Sequence, residues 1–357
     1  MVIDPSFWKN KNVFLTGHTG FKGSWLSLWL NHLGAKVTGY ALEPPTDPSL
    51  FYVAKVTDSL YENVYGDIGN IEQLADSMRA AQPEVVIHMA AQSLVRESYV
   101  DPVNTYNTNV MGTVHILEVA RKTNSVKTIL NITSDKCYEN KEQPTGYTEE
   151  SQLGGYDPYS SSKGCSELVS SAYRNSFLQD CGIALGTARS GNVIGGGDWA
   201  KDRIVPDAIK AFCDNKSLMV RNPKATRPWQ HVLEPLAGYL LLCQELTKNP
   251  KQFASSWNFG PNETDLRSVS FVVDILAELW KNDASWYCDK STHPHEAQSL
   301  TLDCHKANVL LNWNPIWCIS RTLQETTDWY KEWNSGNSMY DFSMYQIKKY
   351  QQECLNQ

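Results

Sequence analysis

Apolar residues follow two rhythms along this chain, and the rhythms alternate through its first half. Asn12-Val-Phe-Leu-Thr16, Lys36-Val-Thr-Gly-Tyr-Ala-Leu42, Val85-Val-Ile-His-Met89, Lys127-Thr-Ile-Leu-Asn-Ile132 and Ile183-Ala-Leu-Gly-Thr-Ala188 are near-continuous apolar runs and read as buried strands. Between them, residues 21–33 place Trp25, Leu26, Leu28, Trp29 and Leu33 at helical spacing, and residues 107–122 and 160–179 also read as helices. Strands apolar on both faces and alternating with helices predict a parallel sheet covered on both sides, which is an α/β, doubly wound (Rossmann) fold. After about Arg189 the pattern loosens into Gly- and Pro-rich and then Trp-rich segments, with helices expected near 205–214, 269–281 and 320–333. The expected division is a dinucleotide-binding domain over 1–188 and a smaller C-terminal α/β substrate-binding lobe over 189–357, parts of which return to the first domain.

Composition narrows the class. The 357 residues are 41% hydrophobic and 20% charged, enough for a sizeable core. A net charge of −7 with dispersed Lys and Arg provides no basic field, so no nucleic-acid partner is expected. The start, Met1-Val-Ile-Asp-Pro-Ser-Phe-Trp-Lys-Asn, carries an early acid and no long apolar core, and the apolar runs at 238–243 and 269–276 are too short to span a bilayer. A cytoplasmic protein with no membrane partner is the expectation. Nine cysteines, odd in number and without C-x-x-C pairs, read as reduced thiols, mostly in the core. No metal-ligand spacing occurs; His293-Pro-His295-Glu296 comes nearest and reads as a binding or structural loop.

Candidate chemistry gathers at strand ends. Gly17-His-Thr19-Gly20-Phe21-Lys22-Gly23 follows a predicted strand and opens a predicted helix, the setting a dinucleotide fingerprint requires. Its glycines suit a tight turn, approach of backbone N–H groups to a pyrophosphate, and close helix–strand packing. Tyr159 and Lys163, four apart, share a helix face, where the ammonium can lower the phenol pKa and leave a base for a sugar hydroxyl while a nicotinamide takes the hydride. Ser134, Asp135 and Lys136 follow an apolar strand, at the end where ligands bind in such folds.

These motifs resemble the extended short-chain dehydrogenase/reductase family across the whole chain. The G-x-x-G-x-x-G spacing is similar to its cofactor loop, Asp67 before Ile68 resembles its adenine-contacting Asp, Ala90-Ala91 its small-residue strand end, and Ser134, Tyr159 and Lys163 its catalytic set. Asn109 resembles a family Asn that supports the tyrosine through its helix, and the resemblance places it, with Tyr159 and Lys163, among the cofactor contacts. The implied cofactor is NAD. The second strand ends at Leu42 without the acid that would bind the adenosine ribose, Glu43 is displaced, and no nearby Arg would take a 2′-phosphate.

Within that family Asp135-Lys136 resembles the Asp-Glu pair of the nucleotide-sugar 4,6-dehydratases, with Lys in place of Glu, as in the branch that acts on CDP-glucose. The resemblance implies that Tyr159 removes the 4-hydroxyl proton, that Ser134 hydrogen-bonds the oxygen, and that a protonated Asp135 releases the 6-hydroxyl. Two roles stay open for Lys136: a neutral amine that removes the C5 proton, or a cation that balances Asp135. Asn192, Arg227, His295 and Glu296, with Trp257-Asn-Phe-Gly260-Pro261, resemble family segments beside the nucleotide diphosphate. The helices at 106–120 and 159–177 resemble those that pair subunits, implying a homodimer on a four-helix bundle, and the product is implied to feed a bacterial surface polysaccharide. A nucleotide-sugar 4-epimerase would need Tyr159, Lys163 and NAD but not Asp135 or Lys136; a non-catalytic NAD-binding regulator is the rival from another class.

Overall fold

The computed structural model describes residues 2–143, 145–289, 291 and 299–356. Its centre is a sheet of seven strands, β1 (Asn12–Thr16), β2 (Lys36–Ala41), β3 (Glu62–Tyr65), β4 (Val85–His88), β5 (Thr128–Ile132), β6 (Ala184–Arg189) and β7 (Ser256–Asn258). They lie in the order β7-β6-β5-β4-β1-β2-β3, all parallel. The order reverses between β1 and β4, which opens a crevice at their carboxyl ends. Register follows the apolar runs: Val13 faces Val85, and Val85 faces Thr128. β5 is buried along its whole length, as a central parallel strand must be.

Local chemistry starts the helices where the site needs them. The helix Pro158–Tyr173 is capped by Asp157, whose carboxylate accepts from the backbone N–H of Ser160, and Pro158 fills its first position. Tyr159 is therefore held in the first turn and Lys163 one turn later. The helix Pro102–Tyr106 runs through a π-turn at Asn107–Met111 into Gly112–Arg121.

Several elements go beyond the sequence reading. β3 is a half-exposed edge strand with a weak apolar signal. The helix Leu233–Lys248 is buried on nearly every side, so no single apolar face marks it. β7, far along the chain, pairs with β6 in the central sheet, and the terminal helix Met339–Leu355 sets Tyr350 edge-on to Trp29, ring centroids 5.7 Å apart. All nine cysteines are free, but only Cys137, Cys243 and Cys354 are buried, and Cys181, Cys288 and Cys318 are exposed, which corrects the expectation of mostly core thiols. Among the described residues no helix is long and apolar enough to cross a membrane, and no cluster of His, Cys, Asp or Glu could hold a metal.

Candidate active site

A cleft of about 1560 Å³ opens over the carboxyl ends of β1, β4 and β5. Gly17, Thr19, Gly20, Phe21, Lys22, Gly23, Asp67, Ile68, Ala90, Ala91, Ser134, Asp135, Lys136, Tyr159, Lys163, Asn192 and Arg227, all singled out in the sequence, line it. His295 and Glu296 lie outside the described residues. Asn109 is a correction to the cofactor-contact list, because it stands behind the wall. Its amide donates to Ser162 Oγ at 2.8 Å and to the carbonyl of Gln92 at 3.0 Å, tying the Tyr159 helix to the loop after β4. Trp257 and Phe259 are likewise buried in the core and do not line the cleft.

The loop after β1 fits a dinucleotide for steric reasons. Gly17 has φ +75°, and a Cβ there would come within 2.7 Å of the Ala90 amide nitrogen; one on Gly23 would fall 2.1 Å from the Gly17 carbonyl oxygen. Only glycines permit this contact of helix Phe21–His32 with the end of β1. Gly20 begins that helix without a side-chain cap, so its first N–H groups are available to an anion. At the end of β2, Glu43 does border the cleft, yet its carboxylate accepts from the Tyr52 hydroxyl at 3.1 Å. Asp67 uses Oδ1 to accept from Gly69 N at 2.7 Å.

The candidate reacting groups are packed below this loop. Ser134 begins a short 3-10 turn, Asp135–Cys137, at the end of β5. Its hydroxyl donates to Asp135 Oδ1 at 3.0 Å. Asp135 is buried, and its second oxygen, Oδ2, has no protein partner. Lys136 Nζ stands 3.9 Å from Asp135 Oδ1, beyond hydrogen-bond length. The buried Oδ1 of Asn192, a residue held at φ +39°, also lacks a partner. Unsatisfied buried acceptors on a cleft wall are suited to a polar ligand.

Electrostatics departs from the expected Tyr–Lys pairing. Burial pushes the Tyr159 phenol up to about 12; the polar Ser134 hydroxyl opposes this, Asp135 adds to it, and the nearby cation that lowers it is Arg203, not Lys163. Lys163 donates to the Ile132 carbonyl at 3.3 Å, and burial draws its ammonium down to about 8. Lys22 reaches into the same cluster. Burial, followed by the charges of Lys163 and Arg203, lowers it to about 7, while its Nζ donates to Ser190 Oγ at 3.2 Å and to the Tyr239 hydroxyl at 3.4 Å.

Arg203 and Tyr239 escaped the sequence reading because their segments carry no local motif. Arg203 donates to Asp198 at 2.9 Å and to Ser93 Oγ at 3.2 Å, bridging the loop after β4 and the segment after β6.

Comparison with known proteins places this architecture. Residues 14–326 match the model of the family described as GDP-mannose 4,6 dehydratase. The chain is 52% identical over 354 residues to a CDP-glucose 4,6-dehydratase of Salmonella typhimurium, covering 98% of each. Among solved structures it is similar to a dTDP-glucose 4,6-dehydratase of Bacillus anthracis in complex with NAD, with a TM-score of 0.74, 23% identity, and coverage of 90% of this chain and 97% of the other. It is also similar to a UDP-glucose 4-epimerase of Thermotoga maritima, with a TM-score of 0.78, 19% identity, and coverage of 90% and 99%. The two structural likenesses establish the shared fold and do not separate dehydration from epimerisation. The match over most of its length and the high identity along nearly all of it do: the chain belongs to the GDP-mannose 4,6 dehydratase family, of the short-chain dehydrogenase/reductase type.

Proposed function

We propose that the protein is a CDP-glucose 4,6-dehydratase, converting CDP-glucose to CDP-4-keto-6-deoxyglucose and water, with NAD as its resident cofactor. The observation that carries this reading is Asp135: a buried carboxylate, on a residue that lines the cleft with Tyr159, with one oxygen bonded to Ser134 and the other without a protein partner. An epimerase would have no use for it.

The roles follow from position. Tyr159 accepts the proton of the sugar 4-hydroxyl while Ser134 holds that oxygen. NAD, which the loop Gly17–Gly23 would hold, would supply hydride chemistry at the sugar C4 and C6. Arg203 is the cation that favours the phenolate, and Lys163, buried one helical turn from Tyr159 on the cleft, is assigned to the cofactor beside it. Once C4 is a ketone, the C5 proton is acidic. Lys136 is the base assigned to it, and its 3.9 Å separation from Asp135 leaves the amine free of a close ion pair. Asp135 gives its proton to the departing 6-hydroxyl through Oδ2. Arg227 and Asn192 are assigned to the diphosphate. The segment from residue 189 onward is taken as the substrate-holding lobe.

A homodimer is part of the same proposal. Val103 and Met111 on the segment that runs from Pro102 to Arg121 and Leu168 and Phe177 on the Tyr159 helix and its continuation expose apolar side chains, as two pairing helices would. The nine free thiols suit a reducing compartment, in support of a cytoplasmic setting.

The test is incubation with CDP-, UDP-, GDP- and dTDP-hexoses, read by mass spectrometry. Loss of water from CDP-glucose is expected. Conserved mass with an altered sugar would establish an epimerase, and a strong preference for another nucleotide would overturn the substrate assignment.

A further inference from the structure

Beneath the catalytic turn lies a buried ion pair that the mechanism above does not use. Glu167 sits on the helix Pro158–Tyr173, one turn beyond Lys163, and is 2% exposed. Its Oε2 accepts from Arg189 Nη2 at 2.7 Å, from Thr187 Oγ1 at 2.8 Å and from Ser256 Oγ at 3.2 Å, and its Oε1 accepts from the hydroxyl of Thr133. Arg189, at the end of β6 and also 2% exposed, donates from Nη1 to the Tyr138 hydroxyl at 2.7 Å and to the Glu149 carbonyl at 3.1 Å. Tyr138 in turn donates to Asn258 Oδ1 at 2.7 Å.

Thr133 and Tyr138 are the residues that enter and leave the turn bearing Ser134, Asp135 and Lys136. One end of the turn is thus held by Glu167, the other by Arg189, and the two holders are bonded to each other. The same Glu167 rides on the helix that carries Tyr159 and Lys163.

We propose that the Glu167–Arg189 pair is a positioning device that fixes the elimination residues Asp135 and Lys136 relative to the redox residues Tyr159 and Lys163, and that Glu167 also keeps Lys163 charged. It rests on the roles given above to those four residues. An ion pair taken wholly out of water contributes little net stability when its desolvation is set against its attraction. Here all four neighbouring hydroxyls and the fork of the guanidinium converge on it, which confines the turn to one placement. Displacement of a reacting group by about 1 Å can cost about 10²-fold in rate.

The charges around Lys163 give the second half its sign. Glu167 of its own helix and Cys137 of the turn favour the ammonium. Lys22 of helix Phe21–His32 and the buried His88 of β4 face it as well; His88 itself is pushed down to about 3, chiefly by burial. Burial already draws Lys163 to about 8, so loss of the Glu167 anion lets the ammonium deprotonate at still lower pH.

Two variants test this, each measured against wild-type turnover of CDP-glucose. Glu167→Gln should lower kcat and move the alkaline limb of its pH profile down by about one pH unit. In the same protein without substrate, the pH at which Lys163 becomes reactive to an amine-acylating reagent, read by mass spectrometry, should fall in parallel. Thr133→Val, which removes the Glu167 link to the turn together with the long contact of the same hydroxyl to the Ala188 carbonyl at 3.4 Å, should lower kcat about tenfold or more with KM and the alkaline limb unchanged. An unmoved limb and unmoved Lys163 reactivity in Glu167→Gln overturn the electrostatic role. Wild-type kcat in Thr133→Val overturns the positioning role, and it does so even if Glu167→Gln fails to fold. Absence of wild-type turnover sinks the proposed activity instead, and the acylation profile still decides the charge on Lys163.

Discussion

Gly191 and Asp135 are in mutual contact such that no side chain can stand at position 191: a Cβ there would lie 1.9 Å from Asp135 Oδ2 and 2.3 Å from its carboxyl carbon. The oxygen concerned is the one without a protein partner. Gly191→Ala must therefore rotate or push the carboxyl away from the position proposed to meet the 6-hydroxyl. We expect kcat for dehydration to fall about 10²-fold with a smaller effect on KM. Steady-state kinetics with mass detection of the dehydrated product would check it, and wild-type kcat would remove Asp135 from the acid role.

Lys136 is separable from the redox step. If its amine takes the C5 proton, Lys136→Ala loses C5 exchange with solvent deuterium by about 10²-fold or more, while Lys136→Glu, which restores a carboxylate base, keeps measurable exchange. Unchanged exchange in the Ala variant would leave Lys136 only as a counter-charge to Asp135.

Glu234 predicts a pH dependence of stability away from the cleft. It is fully buried, accepts from the N–H groups of Ile316 and Trp317 at 3.0 and 2.7 Å and from the Tyr350 hydroxyl, and burial raises its carboxyl from 4.5 to about 7. A raised carboxyl means that the folded protein keeps a proton that the unfolded chain releases. Its stabilising effect is full below the unfolded pKa of 4.5 and is lost as pH rises through about 7, on the order of 3 kcal/mol in all. Glu234→Gln should flatten the decline of Tm between about pH 5 and about pH 8 relative to wild type. Scanning calorimetry across that range is the measurement, and an identical slope in the variant would refute the linkage.

Leu168, 59% exposed on the outer face of the Tyr159 helix, tests the pairing surface. An arginine there would bury an unpaired charge in the proposed dimer and leave a monomer unaffected. Light scattering should report a halved mass for Leu168→Arg at low micromolar concentration. A native-like mass would move the interface elsewhere.

The strands that form the cleft were legible because parallel strands buried on both faces leave continuous apolar runs, as in β1, β4 and β5. The glycine loop and the Tyr159–Lys163 spacing were legible for a related reason: tight turns and one-turn helix spacings are local, and the residues concerned are near neighbours in the chain. Asn109 was read as touching the cofactor, whereas only the packing of its π-turn against the Tyr159 helix places it behind the wall. β7 and the helix Leu233–Lys248 gave weak signals, since an element buried on all sides has no periodic face.

The chain by itself determined the doubly wound order of elements, the cofactor loop and the local groups Ser134-Asp135-Lys136 and Tyr159-Lys163, because each depends on periodicity or on spacing within a turn or two. Only the tertiary structure decided which cation faces the Tyr159 phenol, that Asp135 Oδ2 requires a glycine at 191, and that Glu167 and Arg189 hold both ends of the catalytic turn. Those relationships join residues from different strands and helices. Their effects come from burial and through-space charge, which have no period along the sequence.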